Sequence, residues 1–296
     1  MKKILTFGLL FGLGCLCSCT NSTNKELEDK IKDKTPEEIY EMINFDAFSK
    51  SVEDVFIYGV KLESDIDITG KVNEKYGTEK IVGNYKTNAK SSAIYNDKGY
   101  YISQDANIYY NAHLENDSNR QKTLVDAATS VLNLLEFDDE YIYYMEATSF
   151  NGDNKVKKRL LNKKGDSGFI IDELFSRFYG IDFDDIISKD VLTNANIKIN
   201  NDKYVFSITH TRDIKTILSK SYSGLEGIKG SIDVAFDKDF LFSGIYADVT
   251  ATSAVVTIPA DGSKDKSITS FSYKLNSDCS IGRFSYPEIT DKENYQ

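Results

Sequence analysis

Alternation of apolar and polar residues, repeated through much of the chain, is the sequence feature that most constrains its fold. Between residues 60 and 69, apolar Val60, Leu62, Ile66 and Ile68 alternate with charged and polar neighbours. Successive side chains of a β-strand point to opposite faces, so this run predicts a strand with one buried and one solvated face. The segment 241–257 repeats the pattern, which favours a long half-buried strand near the end of the chain as well.

Further strand-like runs fill most of the remaining chain, and short turns separate several of them. Because links this short join antiparallel neighbours, the runs predict hairpins rather than parallel strands with crossovers. The turns are Asn96-Asp97-Lys98-Gly99, Asp105-Ala106-Asn107, Asn151-Gly152-Asp153-Asn154 and Asn201-Asp202. The runs are 79–90, 92–96, 99–103, 107–113, 141–149, 155–162, 196–200, 203–210, 229–237, 267–276 and 280–286.

Helical signals lie between the strand runs. The strongest is Thr35-Pro36-Glu37-Glu38, where a Thr N-cap, Pro in the first turn and Glu three residues after the cap predict a helix to about residue 51. Apolar residues at helical spacing predict helices over 124–135 and 170–178, and shorter ones follow at 182–189 and from Asp213. The two longer stripes are Leu124, Ala128, Val131, Leu132 and Leu135, and Ile170, Ile171, Leu174, Phe175 and Phe178.

These elements predict an α+β fold. We expect a large curved antiparallel sheet of about ten strands, shaped like a half-barrel, with a few helices packed on one face. The prolines at positions 36, 259 and 287 mark no Pro- or Gly-rich linker, so residues 35–290 are expected to form a single domain, followed by a C-terminal tail at 291–296. A domain of this length can bury a sizeable core without disulfides.

The N-terminus has the pattern of an exported protein. Lys2 and Lys3 precede an apolar stretch over residues 4–13, which is too short for a membrane-spanning helix of about 20 residues and predicts a signal peptide. The following Leu16-Cys17-Ser18-Cys19 resembles the lipobox of bacterial lipoproteins, with a leucine three residues before the modified cysteine and a small residue directly before it. The resemblance implies cleavage after Ser18 and attachment of lipid, diacylglyceryl and acyl groups such as palmitate, to Cys19.

A chain processed in this way would begin with a lipid and a spacer. Residues 1–18 are the predicted signal peptide, and residues 19–34 the predicted lipidated N-terminus and flexible tether, because 21–34 is polar, charged and without aromatic residues. We expect the folded domain to be lipid-anchored in the bacterial cell envelope, on the outer side of the cytoplasmic membrane or in an outer membrane. A plain secretory signal or an uncleaved anchor is the alternative.

Charge and cysteine content narrow the classes of partner. The formal net charge is −10, and loss of a leader that contains Lys2 and Lys3 but no acid makes it −12. Such an acidic surface repels nucleic acid phosphates and anionic headgroups, so no nucleic acid partner is predicted. With Cys19 acylated and the cysteines of the leader removed, Cys279 has no disulfide partner, and no cysteine pair remains for a thiolate metal site.

The order of leader, tether, capped helix, antiparallel strands with inserted helices and long closing strands resembles the LolA/LppX group of lipid-carrying proteins. The most similar passage is Gly230–Phe240 with Tyr246–Val249, where a strand and an Asp-Lys-Asp turn lead into a long alternating strand. In that group a curved open sheet, lidded by helices, holds acyl chains on its concave side. The resemblance covers the layout of residues 35–290 and implies this fold and a lipid ligand.

A curved sheet beneath helices can enclose an apolar concavity, the usual form of a lipid or small-molecule site. The candidate lining residues are apolar positions of the predicted strands and of a helix that could serve as a lid. They are Leu62, Ile66, Ile68, Phe206, Ile208, Val249 and Ala251 on strands, and Leu174, Phe175 and Phe178 on the helix. The same residues would equally fill a dry core at normal packing density.

No residue pattern predicts catalysis, a metal site or a cofactor. The segment Gly165-Asp166-Ser167-Gly168 matches the nucleophile segment of trypsin-like peptidases over these four residues and no further, and capping of the next helix explains it better. His113 and His210 are predicted to be strand residues, the latter half-buried beside Tyr204, Phe206 and Ile208. The acids of 182–185 are predicted to offset a helix dipole rather than to bind a cation.

The sequence therefore predicts a non-enzymatic, tethered lipoprotein that binds a hydrophobic ligand. The alternative is an interaction or adhesion lipoprotein with a dry core, whose tyrosine-bearing strands contact protein or glycan. Adjacent tyrosines of a strand face opposite sides, so each pair is expected to offer one ring to the core and one to the surface. The pairs are Tyr100-Tyr101, Tyr109-Tyr110 and Tyr143-Tyr144.

Overall fold

A computed structural model of the protein describes residues 24–44, 59–76, 78–96, 98–120, 122–162, 183–219, 224–257, 265–285 and 287–296. Within them, strands dominate. In chain order these are β1 (Gly59–Tyr76), β2 (Glu79–Asn96), β3 (Gly99–Leu114), β4 (Thr123–Phe137), β5 (Tyr141–Phe150), β6 (Asp153–Asn162), β7 (Asn196–Asn200), β8 (Lys203–Ile208), β9 (Leu225–Phe236), β10 (Phe242–Thr257) and β11 (Asp265–Gly282).

The strands form one antiparallel sheet that is not closed into a barrel. Their order across the sheet is β6-β5-β4-β3-β2-β1-β11-β10-β9-β8-β7, so β6 and β7 are its edges. At the centre, Ile66 of β1 lies opposite Ala89 of β2 and opposite Leu275 of β11. The first and last strands are thus direct neighbours, and the middle of the sheet depends on pairing between distant parts of the chain.

The two faces of the sheet differ in composition, as strand alternation requires. The apolar face carries buried residues such as Leu62, Ile66 and Val249, and the polar face carries their exposed neighbours, such as Glu63 and Asp65. Residues that lie opposite each other in antiparallel strands share a face, so the register assigns every strand position to one of the two faces. The predicted half-buried strands are confirmed.

Two-residue turns close two of the predicted hairpins. Asn151 and Gly152 have φ of 49° and 90° between β5 and β6, and Asn201 and Asp202 have φ of 49° and 59° between β7 and β8. Two successive residues in the left-handed region make the type I′ turn, whose twist matches that of the flanking strands. Asn, Asp and Gly tolerate this conformation best, which is why the sequence located both turns correctly.

Five short helices lie among the described residues, and their buried side chains belong to the same hydrophobic cluster as the apolar face. They are α1 (residues 24–31), α2 (Pro36–Tyr40), α3 (Phe183–Ile187), α4 (Lys189–Thr193) and α5 (Thr211–Ser219). Helix α5, for example, buries Ile214, Ile217 and Leu218 at helical spacing. A large antiparallel sheet with short helices packed on its apolar face agrees with the predicted α+β class.

Helix α1 corrects the prediction of a flexible tether. Residues 24–31 are helical, Leu27 is 2% exposed, and Ile31 packs partly buried against the core. The carbonyl oxygen of Leu27 also accepts a hydrogen bond from the Tyr204 hydroxyl at 3.2 Å. Two apolar residues four positions apart provide a narrow stripe that is sufficient once a core is present, although it is too weak to order an isolated peptide.

Helix α2 confirms the predicted start but is shorter than predicted. The Thr35 side chain accepts from the Glu38 N–H, and the Glu38 carboxylate accepts from the Thr35 N–H, which completes the capping box. The helix ends at Tyr40 instead of near residue 51, because the chain then turns and Asn44 N–H donates to the carbonyl of Phe240. Ile39 and Ile43 are buried, and the predicted stripe residue Phe48 lies outside the described residues.

Strand β4 corrects the prediction of a helix over 124–135. In the register of the sheet, Val131 and Leu135 lie on the apolar face, whereas Leu124, Ala128 and Leu132 lie on the polar face. On the polar face, Leu132 and Leu134 pack beneath the end of the chain, whereas Leu124 is 56% exposed. A strand that is covered on both sides loses its alternation, and its apolar residues can then match a helical period by chance.

Three strands are longer than predicted, and one histidine lies outside its predicted strand. Strand β3 continues through the predicted turn at Asp105-Ala106-Asn107, because Asp105 and Asn107 face solvent on the polar side while Ala106 faces the core. Strands β2 and β11 are likewise continuous where breaks were predicted.

His210 is exposed and precedes α5, where its carbonyl accepts from the Ile214 N–H, so it is not the predicted half-buried strand residue. His113 lies in β3 as predicted.

The C-terminal strap, residues 287–296, crosses the polar face of β3 to β6. Its Ile289 and Tyr295 are 7% and 5% exposed and form a second hydrophobic cluster with Leu134 of β4. The Tyr295 ring meets Tyr143 edge-on at 5.7 Å, and Leu160 N–H of the edge strand donates to the carbonyl of Gln296 at 3.1 Å. Residues 291–296, predicted to be a tail, are therefore packed against the sheet.

Candidate functional site

Seven of the sequence-predicted lining residues share the apolar face. Val249 lies opposite Tyr273 of β11, which in turn lies opposite Ile68 of β1, so these three strands contribute to one row. The strand pairing also places the other strand candidates on the apolar face. They are Leu62, Ile66, Ile68, Phe206, Ile208, Val249 and Ala251. Leu174, Phe175 and Phe178, the predicted lid residues, lie outside the described residues, as do Cys19, the signal peptide and the segment Gly165–Gly168.

Most of these candidates are packed core residues. Leu62, Phe206, Ile208 and Val249 are at most 1% exposed. Around Phe206, aromatic rings fill the space between β8, β9 and β10: Phe206 meets Phe236 edge-on at 5.3 Å, and Tyr204 stacks on Phe240 at 4.3 Å. This part of the apolar face is a filled core that holds the helices to the sheet.

The apolar face is more accessible at the ends of β3, β4 and β5 that lie away from the buried Tyr100, Leu135 and Ile142. Ile68 on β1 and Ile108 on β3 are partly buried, and further out Val125 of β4 is 37% exposed and Phe150 of β5 is 54% exposed. The register places all four on the apolar face. Apolar side chains on this face thus run from a filled core to positions that solvent can reach, and Glu146 of β5 and Lys157 of β6 share the same face.

Strand β2 carries a run of small side chains on the apolar face. Between Tyr95 and Tyr85, its apolar-face positions carry only small side chains, namely Ala93, Ser91, Ala89 and Thr87. Tyr95 is 2% exposed and packs against Tyr100 with ring centroids 6.0 Å apart. Burial, and then the neighbouring Tyr100, raise the pKa of the Tyr95 hydroxyl, so this end of the run carries no charge at neutral pH.

A polar row crosses the central strands of this face, and sequence reasoning missed it. Ser64, Ser91 and Ser277 are buried and lie side by side on β1, β2 and β11, with Gln104 of β3 at the end of the row. The sequence signal was present, because each serine occupies a core-face position of an alternating strand. The signal could not be interpreted without the register that aligns the serines.

Two concavities of about 650 Å³ and 460 Å³ lie over the central strands β2, β1, β11 and β10. Most of their lining residues belong to polar-face rows, and of the predicted lining residues Ala251 contacts the larger and Ile66 the smaller. In the smaller one both aspartates have a polar partner: Asn88 donates a hydrogen bond to Asp67 at 2.7 Å, and Lys90 pairs with Asp65 at 3.9 Å. The larger includes Lys71, Lys86 and Lys229 among hydroxyl side chains.

The tyrosine pairs alternate between the faces as predicted. Tyr100 and Tyr144 lie on the apolar face and are buried, and Tyr110 shares that face. Their neighbours Tyr101 and Tyr143 lie on the polar face but pack in the cluster beneath the C-terminal strap. Among the described tyrosines, Tyr109 and Tyr141 are the large exposed rings, at 36% and 38%. The exposed tyrosine surface is therefore smaller than the sequence predicted.

No protein-family model matches this chain, and no curated protein has a similar sequence. Among the helices that the structure describes, none is both long and apolar enough to span a membrane.

Proposed function

We propose that this protein is a membrane-anchored extracytoplasmic lipoprotein that binds a hydrophobic ligand, a lipid, on the apolar face of its sheet. The observation that carries the proposal is the gradient of burial along that face. Apolar side chains continue from the filled core at Phe206 to Val125 and Phe150, which solvent can reach. An accessible apolar surface that is continuous with a core is the kind of surface on which hydrophobic ligands bind.

The open sheet supports the same proposal. A closed barrel of this many strands would have no free edge, whereas here β6 and β7 remain apart and the described helices pack on the apolar face. We propose that the sheet curves like a half-barrel and that acyl chains lie between its concave side and the helices. The side chains of β2 on this face are small, with Ala89 at the centre, and we propose that the acyl chains lie against them.

The leader supplies the proposed location. The resemblance of Leu16-Cys17-Ser18-Cys19 to a lipobox supports a lipid on Cys19 and an anchor in the cell envelope. Two or three acyl chains hold a protein stably at a membrane, whereas one chain binds only marginally. A carrier attached in this way would meet lipids at the surface to which it is anchored. No catalytic role is proposed.

Native mass spectrometry of the full chain, exported by a bacterial host, tests the proposal. We expect a bound mass that organic extraction removes and that matches a lipid. Ile108→Asp should abolish binding because it places an unpaired charge on the apolar face, whereas Asn107→Asp adds the same charge on the polar face and should not. Since Ile108 is only partly buried, both variants should keep the wild-type circular dichroism.

A protein that carries no lipid and takes none up when lipids are added would contradict the proposal. That outcome would favour the interaction or adhesion lipoprotein, with Tyr109 and Tyr141 as the exposed rings to substitute first. Equal lipid binding by Ile108→Asp and Asn107→Asp would place the ligand elsewhere than on the apolar face.

A further inference from the structure

The polar row across the apolar face contains a hydroxyl without a partner. Ser64 lies in register between Ser91 of β2 and Ser277 of β11, and its residue is 6% exposed. Its Oγ is buried and has no hydrogen-bond partner within the described part of the chain. Buried hydroxyls in folded proteins nearly always have a partner, so an unpaired one on a candidate ligand face points to a group supplied from outside.

The neighbouring serine presents a second donor. Ser91, also 6% exposed, accepts a hydrogen bond from Nε2 of Gln104 at 3.0 Å. Because the Ser91 oxygen is used as an acceptor there, its own O–H remains to donate elsewhere. Ser64 and Ser91 face each other across adjacent strands, so their two hydroxyl donors suit a single carbonyl oxygen, which has two lone pairs.

Near Ser64, the rows on either side provide no counter-charge for a charged ligand group. On β3, β2, β1 and β11 they contain Ile102, Ala93, Leu62 and Cys279 on one side, and Ala106, Ala89, Ile66 and Leu275 on the other. The only ionisable side chain among these eight is Cys279, and burial raises its thiol pKa, so it is neutral at neutral pH. A carboxylate or phosphate at Ser64 would lose its hydration without gaining a counter-charge.

We infer that Ser64 and Ser91 bind the carbonyl oxygen of an uncharged ester in a long-chain lipid. The acyl chain then runs past Ile66 towards the partly buried Ile68 and Ile108, and the polar row sets how far along the face the ester is held. This inference rests on the proposed function and specifies the polar part of its ligand.

Two lipids that differ by one carbonyl test the inference. Monopalmitoylglycerol is an ester, and hexadecylglycerol is an ether with the same chain length and the same glycerol. The full exported chain, freed of copurifying lipid, is titrated with each. We expect the ester to bind about tenfold more tightly, the gain from one or two neutral hydrogen bonds.

Ser64→Ala should remove this preference and leave binding of the ether unchanged. Because the variant deletes a buried hydroxyl that has no partner, the urea midpoint of the lipid-free protein should stay the same or rise. Ser92→Ala is the matched control: it is the next residue of β2 but faces the polar side, and it should keep both affinities.

The outcomes separate the inference from the proposed function. If the wild type binds neither lipid, the proposed carrier function fails, and the inference fails with it. If both lipids bind equally, or if Ser64→Ala keeps the preference for the ester, the carrier function stands and the inference is wrong. A clear fall in the urea midpoint of Ser64→Ala would show that the hydroxyl has an internal partner and would overturn the inference as well.

Discussion

The carboxylate of Glu136, on the polar face of β4, accepts a hydrogen bond of 2.6 Å from the backbone N–H of Ile289. Glu136 is 7% exposed, and its second carboxylate oxygen lies 3.1 Å from Nζ of Lys292. Lys158 of the edge strand pairs with Asp291 on the other side. One buried acid thus holds both ends of a turn of the C-terminal strap onto the sheet.

Glu136→Ala should release the strap. The variant leaves the Ile289 N–H without an acceptor and Lys292 without its partner, which should lower the free energy of unfolding by about 1.5–3 kcal/mol. Hydrogen exchange should also show faster exchange at the Ile289 amide. Glu136→Gln keeps an acceptor and should lose less, and exposed Glu140→Ala should leave both measurements unchanged. Wild-type protection of Ile289 in Glu136→Ala would contradict this role.

Stability should fall in acid partly through Asp138, at the turn before β5. Its Oδ1 accepts from the N–H groups of Tyr141 at 2.8 Å and Glu140 at 2.9 Å, and these bonds lower the pKa of its carboxyl. The folded pKa lies below the unfolded value of about 3.9, so the stabilisation is complete above that pH and is lost as pH falls through the folded pKa.

Urea unfolding of the wild type and of Asp138→Asn between pH 7 and pH 2 measures this contribution. The difference in stability between the two proteins should be constant at neutral pH and should shrink below about pH 4, because protonation makes the wild-type side chain resemble the amide. A difference that does not change with pH would mean that the charge of Asp138 contributes nothing.

Truncating a side chain to alanine should cost more stability in the filled part of the apolar face than in the accessible part. Leu62 is fully buried, so Leu62→Ala should cost about 2–5 kcal/mol through lost burial and the cavity that it leaves. Ile68, three rows further along the same face of β1, is only partly buried, and Ile68→Ala should cost less than about 2 kcal/mol. Chemical denaturation checks both, and equal losses would show that the core is packed uniformly along β1.

Cys279 should be unreactive in the folded protein. It lies opposite Leu62 on the apolar face, and burial raises its thiol pKa, which leaves little thiolate at pH 8. Alkylation by iodoacetamide, followed by peptide mapping, should be at least about tenfold slower than for an unfolded thiol and should become complete in urea. Rapid native labelling of Cys279 would mean that the apolar face opens at this point.

Local sequence patterns predicted the parts of the fold that depend on neighbouring residues. The alternation around Leu62, the turn at Asn151-Gly152 and the capping box at Thr35 each involve only a few consecutive residues, and each is present in the structure. Strand β4 and helix α1 were predicted incorrectly, since their conformation depends on what covers them. The strap covers Leu134, and the core receives Leu27.

By itself, the sequence determined that this chain forms an antiparallel sheet with one apolar face, because each strand separately shows the alternation of apolar and polar residues. Only the tertiary structure decided which residues meet across the strands. Ser64 and Ser277 lie near opposite ends of the chain, and only the pairing of β1 with β11 brings them together. Likewise, only the path of the strap puts Ile289 on Glu136. Register and long-range packing depend on the free energy of the whole sheet, so no local pattern encodes them.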